Sequence, residues 1–316
     1  MKNNIDIIGK KKYFFALSIL LILAGIVGYI MNGGFKLDIQ FEGGTIIEMH
    51  MPNADFDIAK VEEIVKKEIN KDVQAAKSKD TAKNVDLLTI NVSKENTLTG
   101  DEQNKIIDAI RAQYNVKQDS ELYVQKVEPF IGKEIMNNGL KAVLWSSILI
   151  ILYVWWRFRV MSGLSAGVFA VVGLLHDCLI LLTVYTVFKI PLNESFIAAA
   201  LTIIGYSMND VIIIYDRIRE NSTLMRKTPI AELVNTSIVQ TLTRSINTVV
   251  TVLICLITVY LFASYNRISS ITEFTFPLII GVASGCYSSI CISSPLWVLW
   301  KEHVSKSKVA AKSKIA

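Results

Sequence analysis

The residues from which most active sites are built are scarce in this chain of 316 residues. It has three histidines and four cysteines, and charged side chains make up 19% of it. None of the cysteines falls in the charge-rich stretch Gly33–Lys141. Cys178, Cys255, Cys286 and Cys291 all sit in apolar runs, which excludes a disulfide framework and metal-ligand spacing and leaves them as packing residues. The charge-rich stretch has His50 as its sole histidine, no pair of catalytic carboxylates and no phosphate-binding glycine loop. An enzyme is therefore not expected, and neither a cofactor nor a bound metal is implied. Apolar side chains are what the sequence has in abundance, at 52% of residues with a mean hydropathy of +0.41. A water-soluble domain rarely carries so much.

A bilayer core about 30 Å thick needs roughly 20 apolar residues per helix. Six stretches meet that length: Tyr13–Met31, Gly139–Trp156, Gly163–Phe188, Ser195–Tyr215, Thr241–Tyr265 and Thr275–Trp300. The first is expected to be an uncleaved anchor rather than a signal peptide, because Gly28–Gly34 offers no small-x-small cleavage site. The net charge of +5 does not read as nucleic-acid binding. Its clusters are Lys10–Lys12, Arg157 with Arg159, Arg217–Lys227 and the tail Lys301–Lys314, and all fall on one face once six spans are drawn. The positive-inside rule makes that face cytoplasmic, with both termini inside and residues 32–135 outside. The basic tail, residues 301–316, is expected to lie against anionic lipid on that cytoplasmic face.

The outside region reads as one small α+β domain. Phe35–Met51 alternates apolar and polar residues as a long strand interrupted by Gly43-Gly44. Asp55–Asn70 carries one apolar helical face; short strands are expected near Val73–Ala76 and Val85–Val92. Thr99–Tyr114 is a second amphipathic helix with a capping box between Thr99 and Glu102, and Leu122–Val127 is a last strand. The order β-α-β-β-α-β is the ferredoxin-like arrangement, which hosts many functions. Gly43 and Gly44 read either as a bulge or as a hinge that lets the domain move over the membrane.

Ionisable residues inside spans are costly and mark a partner or a water path. Asp210 lies six residues before Asp216, roughly 9 Å inside the fourth span. Arg244 lies near the start of the fifth, so acid and base can reach similar depth on neighbouring antiparallel helices. Arg244, Thr248, Thr251, Cys255 and Thr258 align on one helical face, and Thr202, Tyr206, Asn209 and Asp210 make a comparable stripe on the fourth helix. Two such stripes are expected to face each other, as a static ion pair or as a proton-responsive one. His176 and Asp177, in mid-span, are a second candidate: part of a proton route with Asn209, or a structural hydrogen bond to a neighbouring helix. Gly281, Gly285 and Ser289 form a small-residue ridge expected to serve helix packing.

With these residues in view, the chain resembles the SecF family of bacterial protein export. The run Gly205–Asn221 (GYSMNDVIIIYDRIREN) looks like the family's fourth span and the turn after it. Asn235–Thr251, with QTLTRS at Gln240–Ser245, looks like the start of its fifth. Leu175, His176 and Asp177 match its third span, and Phe41–Thr45 (FEGGT) the start of its outside domain. The chain departs at Asp38 and Gln40, where family members commonly have Gly and Asp. The resemblance implies a subunit that uses the ion-motive force to promote translocation of preproteins, with the proton as the default coupling ion and sodium the alternative. Its implied partners are SecD, the SecYEG channel and, indirectly, the SecA motor. It also implies membership of the resistance-nodulation-division superfamily, an intramembrane charged pair at Asp210 and Arg244, and a cytoplasmic motif at Asp216, Arg217, Arg219 and Glu220. Two other readings are a small-molecule exporter of the same superfamily and a non-conducting scaffold. Exporters of that kind usually carry two six-span units.

Overall fold

A computed structural model describes residues 5–52, 56–71, 73–80, 85–93, 98–127, 129–159 and 162–313. Ten α-helices and four strands are described, in the order α1 (Lys11–Met31), α2 (Ile39–Glu42), β1 (Gly44–Met51), α3 (Ile58–Ile69), β2 (Gln74–Asp80), β3 (Val85–Ser93), α4 (Gly100–Tyr114), β4 (Leu122–Val127), α5 (Pro129–Arg157), α6 (Gly163–Val187), α7 (Glu194–Leu224), α8 (Ile230–Tyr265), α9 (Ser269–Ser288) and α10 (Ser294–Ser313). A π-helical turn, Ser289–Ser293, joins α9 to α10. Pro295 has no N–H to donate back to Cys291, and the wider turn accommodates that loss.

Six helices are long and apolar enough to cross a membrane, the last running continuously through Ser269–Ser307. This is a multi-pass membrane protein. The helices outrun the apolar stretches: α8 starts at Ile230 rather than near Thr241, and α7 continues to Leu224. A bilayer fixes the minimum length of a helix but sets no maximum on its water-exposed end. In α6, α7 and α9 the buried share is highest, so these form the middle of the bundle, with α1, α5 and α8 around them. Close approach depends on small residues. A Cβ on Gly281 or Gly285 of α9 would run into Ile203 or Ser207 of α7.

The small domain has a four-stranded antiparallel sheet ordered β2-β3-β1-β4. Alternation puts Ile47, Met49 and Met51 of β1 and Leu88, Ile90 and Val92 of β3 on one face. Against it lie Val61 and Val65 of α3 and Ile106, Ile107 and Ile110 of α4. Each such side chain, fully buried, contributes roughly 1.5–3 kcal/mol. Both helices end on a left-handed asparagine, Asn70 (φ 51°) and Asn115 (φ 52°). The expected Thr99/Glu102 capping box is formed.

One expectation fails at the start of this domain. Phe35–Met51 is not a single strand. Asp38 caps the short helix α2 by accepting from the Gln40 N–H at 3.2 Å, and Gly43 closes it at φ 77°. Gly43 and Gly44 (φ 150°) therefore form the junction between helix and strand, where a Cβ on Gly44 would strike the Val92 carbonyl. On the bundle side, Leu37 pairs with Leu192 across a parallel bridge, and Gly132 of α5 lies against the backbone of Gln40 and Phe41. The segment before the glycines is thus pinned to the bundle, and the sheet begins after them.

Candidate functional site

Every span carries polar groups, and the bundle treats them in two ways. His176 and Asp177 of α6 are satisfied on both sides. Asp177 is 1% exposed and accepts from Ser284 Oγ at 2.7 Å and Ser288 Oγ at 2.9 Å, both on α9. Its neighbour His176 turns about a quarter of the way round the helix to α1, where its Nε2 lies 3.0 Å from Ser18 Oγ. Ser18 Oγ is 3.1 Å from Tyr287 Oη, which donates to the Phe14 carbonyl at 2.7 Å. One chain of polar contacts therefore ties α1, α6 and α9 together. Ser18, Ser284, Tyr287 and Ser288 escaped the sequence reading; Ser284 and Ser288, four residues apart and each just before a ridge residue, present hydroxyls beside the glycine ridge, and that spacing is the signal that was there.

Asp210 of α7 is the opposite case. It is 0% exposed, and neither carboxylate oxygen has a hydrogen-bond partner among the described residues. The Ser207 Oγ and Tyr206 Oη on α7 and the Ser245 Oγ on α8 are likewise buried and unpartnered. A buried polar atom without a partner costs about 1–3 kcal/mol, so each such group marks a place where the fold has given up stability.

Arg244 is not the missing partner. The expected Asp210–Arg244 ion pair is absent: Arg244 is exposed and makes no salt bridge among the described residues. The face that α8 buries runs through Val234, Ser237, Thr241, Ser245 and Val249. Arg244 precedes Ser245 by one residue, about 100° round the helix, and so faces outward. Thr251, Cys255 and Thr258 lie exposed with it. The stripe expected on α7 splits in the same way: Thr202 and Asn209 are exposed while Asp210 is enclosed. Asn209 lies on another face from Asp210 and is not brought to His176 or Asp177 by any described contact. Small side chains, not charges, decided which face of α8 packs inward.

The remaining motif closes the end of the bundle farthest from the sheet. Asp216 Oδ1 accepts from Arg157 Nη2 at 3.0 Å and from Arg219 Nη2 at 2.9 Å. Arg217 donates to Gln240 Oε1 at 2.6 Å and to Glu220 Oε2 at 2.5 Å. Asn221 Nδ2 lies 2.8 Å from both Ser237 Oγ and Gln240 Oε1. The side-chain carbonyl of Asn235 accepts the N–H groups of Ile7 and Ile8. The two arginines around Asp216 come from α5 and α7, so this carboxylate fixes the ends of two spans. These ion pairs are partly exposed, and each is worth little by itself. At the opposite end Asn193 Nδ2 donates to Glu273 Oε2 at 2.6 Å, and burial holds the Asp38 carboxyl above its ordinary range. No group of three or more metal-ligating side chains occurs among the described residues.

Residues 107–303 match the family model described as protein export membrane protein SecD/SecF, C-terminal. The protein translocase subunit SecF of Alicyclobacillus acidocaldarius is 33% identical over 97% of this chain and 96% of its own length. The chain belongs to the SecF family of protein-export membrane proteins. SecDF of Bacillus subtilis is also 33% identical, over 94% of this chain but 38% of that longer one. The crystal structure of SecDF from Thermus thermophilus, a translocon-associated membrane protein, superposes with a TM-score of 0.77 at 29% identity, covering 95% of this chain and 39% of that one. The stretch 205–221 holds both Asp210 and the Asp216 end-clamp, so these two aspartates occupy one helix in contrasting settings.

Proposed function

We propose that this chain is a SecF-type subunit that uses the ion-motive force, carried by protons, to promote preprotein translocation beside SecD, the SecYEG channel and, indirectly, SecA. The observation that carries this reading is the fully enclosed Asp210, whose two oxygens lack any partner among the described residues. Burying a carboxylate charged and unpaired is expensive, so its protonated and ionised forms favour different helix arrangements. Each charge that crosses 100 mV supplies about 2.3 kcal/mol, so a few per cycle bias a two-state motion strongly.

SecD as partner is supported by relatives that carry SecD and SecF names on one longer polypeptide. Arg244 and its exposed polar stripe then complete the proton path only once a neighbouring span covers them, since lipid satisfies neither a guanidinium nor a row of hydroxyls. His176 and Asp177 hold the bundle's geometry in this reading instead of carrying protons. The clamp around Asp216 lies on the cytoplasmic side of the inner membrane together with both termini and the basic clusters, which lie against anionic lipid. The sheet domain lies outside, is of the ferredoxin-like kind, and moves about Gly43 and Gly44.

The test replaces Asp210 by Asn and Arg244 by Met in cells whose secretion depends on this chain. Both variants should accumulate normally and still co-purify with SecD, while export slows and no longer responds to collapse of the membrane potential. Normal, potential-dependent export by Asp210→Asn would remove the energy-coupling account and leave a scaffold.

A further inference from the structure

A groove of about 610 Å³ opens on the surface of the bundle where the end of α5 and the first half of α10 meet the start of α6. Its walls are aromatic and aliphatic: Trp155, Val168, Phe169 and Trp300. The rings are fixed in place, with Phe169 and Trp300 centroids 6.2 Å apart. Behind them Trp297 Nε1 donates to Ser165 Oγ at 3.1 Å, which docks α10 onto α6. At its mouth the groove turns basic. The Arg159 guanidinium lies 5.8 Å from the Trp155 ring, and the Lys301 ammonium reaches Ser162 Oγ at the rim. Phe169 stands seven residues into the helix from Ser162, so the groove extends roughly 10 Å inward from its charged mouth.

We propose that this groove is a binding site for a single anionic phospholipid, its phosphate held between Arg159 and Lys301 and the upper part of one acyl chain laid along the apolar wall formed by Trp155, Val168, Phe169 and Trp300. Three observations select that occupant over a neutral lipid or a protein helix. Positive charge sits at the mouth alone, where a headgroup phosphate would lie. Tryptophans flank it at the depth where such rings favour the headgroup boundary. The apolar walls begin directly below, which suits a molecule charged at one end. The proposal rests on the reading that the basic clusters face the anionic cytoplasmic leaflet, and it adds a defined site to what would otherwise be diffuse attraction.

The experiment is native mass spectrometry of the purified full chain offered equal amounts of phosphatidylglycerol and phosphatidylcholine with identical acyl chains. Two headgroup-facing cations predict retention of one phosphatidylglycerol with a preference of about thirty-fold. Arg159→Gln combined with Lys301→Gln should abolish the preference, Arg159→Lys should keep it, and neutralising Lys10, Lys11 and Lys12 at another basic cluster should not change it. The unfolding temperature of each variant is measured alongside, and should match that of the parent. Equal retention of the two lipids, or an undiminished preference in the Arg159/Lys301 double variant, would overturn the proposal. So would displacement of the lipid by glycerol 3-phosphate at equal concentration, which would show a soluble-anion site. Retention is read without any export assay, so this proposal and the energy-coupling one can each fail alone.

Discussion

Asp177 and Asp210 sit in neighbouring spans of one bundle, are enclosed to the same degree, and are treated in opposite ways. Asp177 receives two serine hydroxyls from α9 and has His176 beside it. Asp210 receives nothing among the described residues, although Ser207 lies one turn away with its own hydroxyl idle. Serine at 284 and 288 falls opposite Asp177, whereas glycine at 281 and 285 faces α7. One helix, α9, therefore offers donors to α6 and a bare ridge to α7. The difference teaches that burial alone does not identify a working carboxylate. In the proposed reading the number of donors supplied to it does, because donors to a carboxylate favour its ionised form and so oppose its protonation.

The contrast breaks first if Asp210→Asn is silent. Loss of one charge translocated per cycle across 100 mV removes about 2.3 kcal/mol of drive, equivalent to about fifty-fold in export rate. The same substitution should leave the thermal stability of the purified chain equal to or above the parent, since no donor is orphaned by it. A drop in unfolding temperature would reveal a partner for Asp210 and remove the contrast.

Asp177→Ala should behave in reverse. It strands Ser284 Oγ, and leaves Ser288 and His176 short of a partner, at about 1–3 kcal/mol for each unsatisfied group. The chain should unfold at clearly lower temperature, while whatever folded protein remains keeps potential-dependent export. If export fails in protein of normal stability, Asp177 belongs to the proton route after all.

A third, milder test acts on the ridge itself. Gly285→Ala places a methyl against Ser207, whose Cβ lies 3.0 Å from the ideal Cβ position. Pushing α9 off α7 should cost about 1–3 kcal/mol and slow export out of proportion to stability, because Asp210 lies next to the displaced turn. Gly205→Ala is the control on the opposing helix: no atom stands within 4 Å of the position its methyl would take, so both properties should be unchanged.

How much of this was legible beforehand follows from the same physics. The six spans were readable because a bilayer imposes length and apolarity on a sequence. That Asp210 falls on a spanning helix was readable too, from the apolar run around it. Direction was not. Arg244 and Ser245 share a depth, and only three-dimensional packing selects the serine face for the interior. The strand expected through Phe35–Met51 misled because alternation over eight residues fits either a strand or a capped turn followed by one. Asp38 and Gly43, five residues apart, were the start and stop signals of α2.

The smallest effect concerns a carboxylate in water, which completes the series. Glu102 is held from its ordinary value of 4.5 down to about 2, first by its hydrogen bond to Lys71 and then by the Thr99 backbone N–H. A depressed acid contributes stability that is whole above pH 4.5 and disappears as pH falls through about 2. The start of α4 should therefore become more open to pepsin across that window and not above it. Lys71→Met removes the larger cause, leaving the capping box to the threonine, so the parent and the variant should differ at about pH 5 and converge at about pH 2. A difference that persists at the acid end would mean that Lys71 acts through packing of its stem rather than through charge, and that in water, unlike inside the bundle, the count of donors around a carboxylate says little about its work.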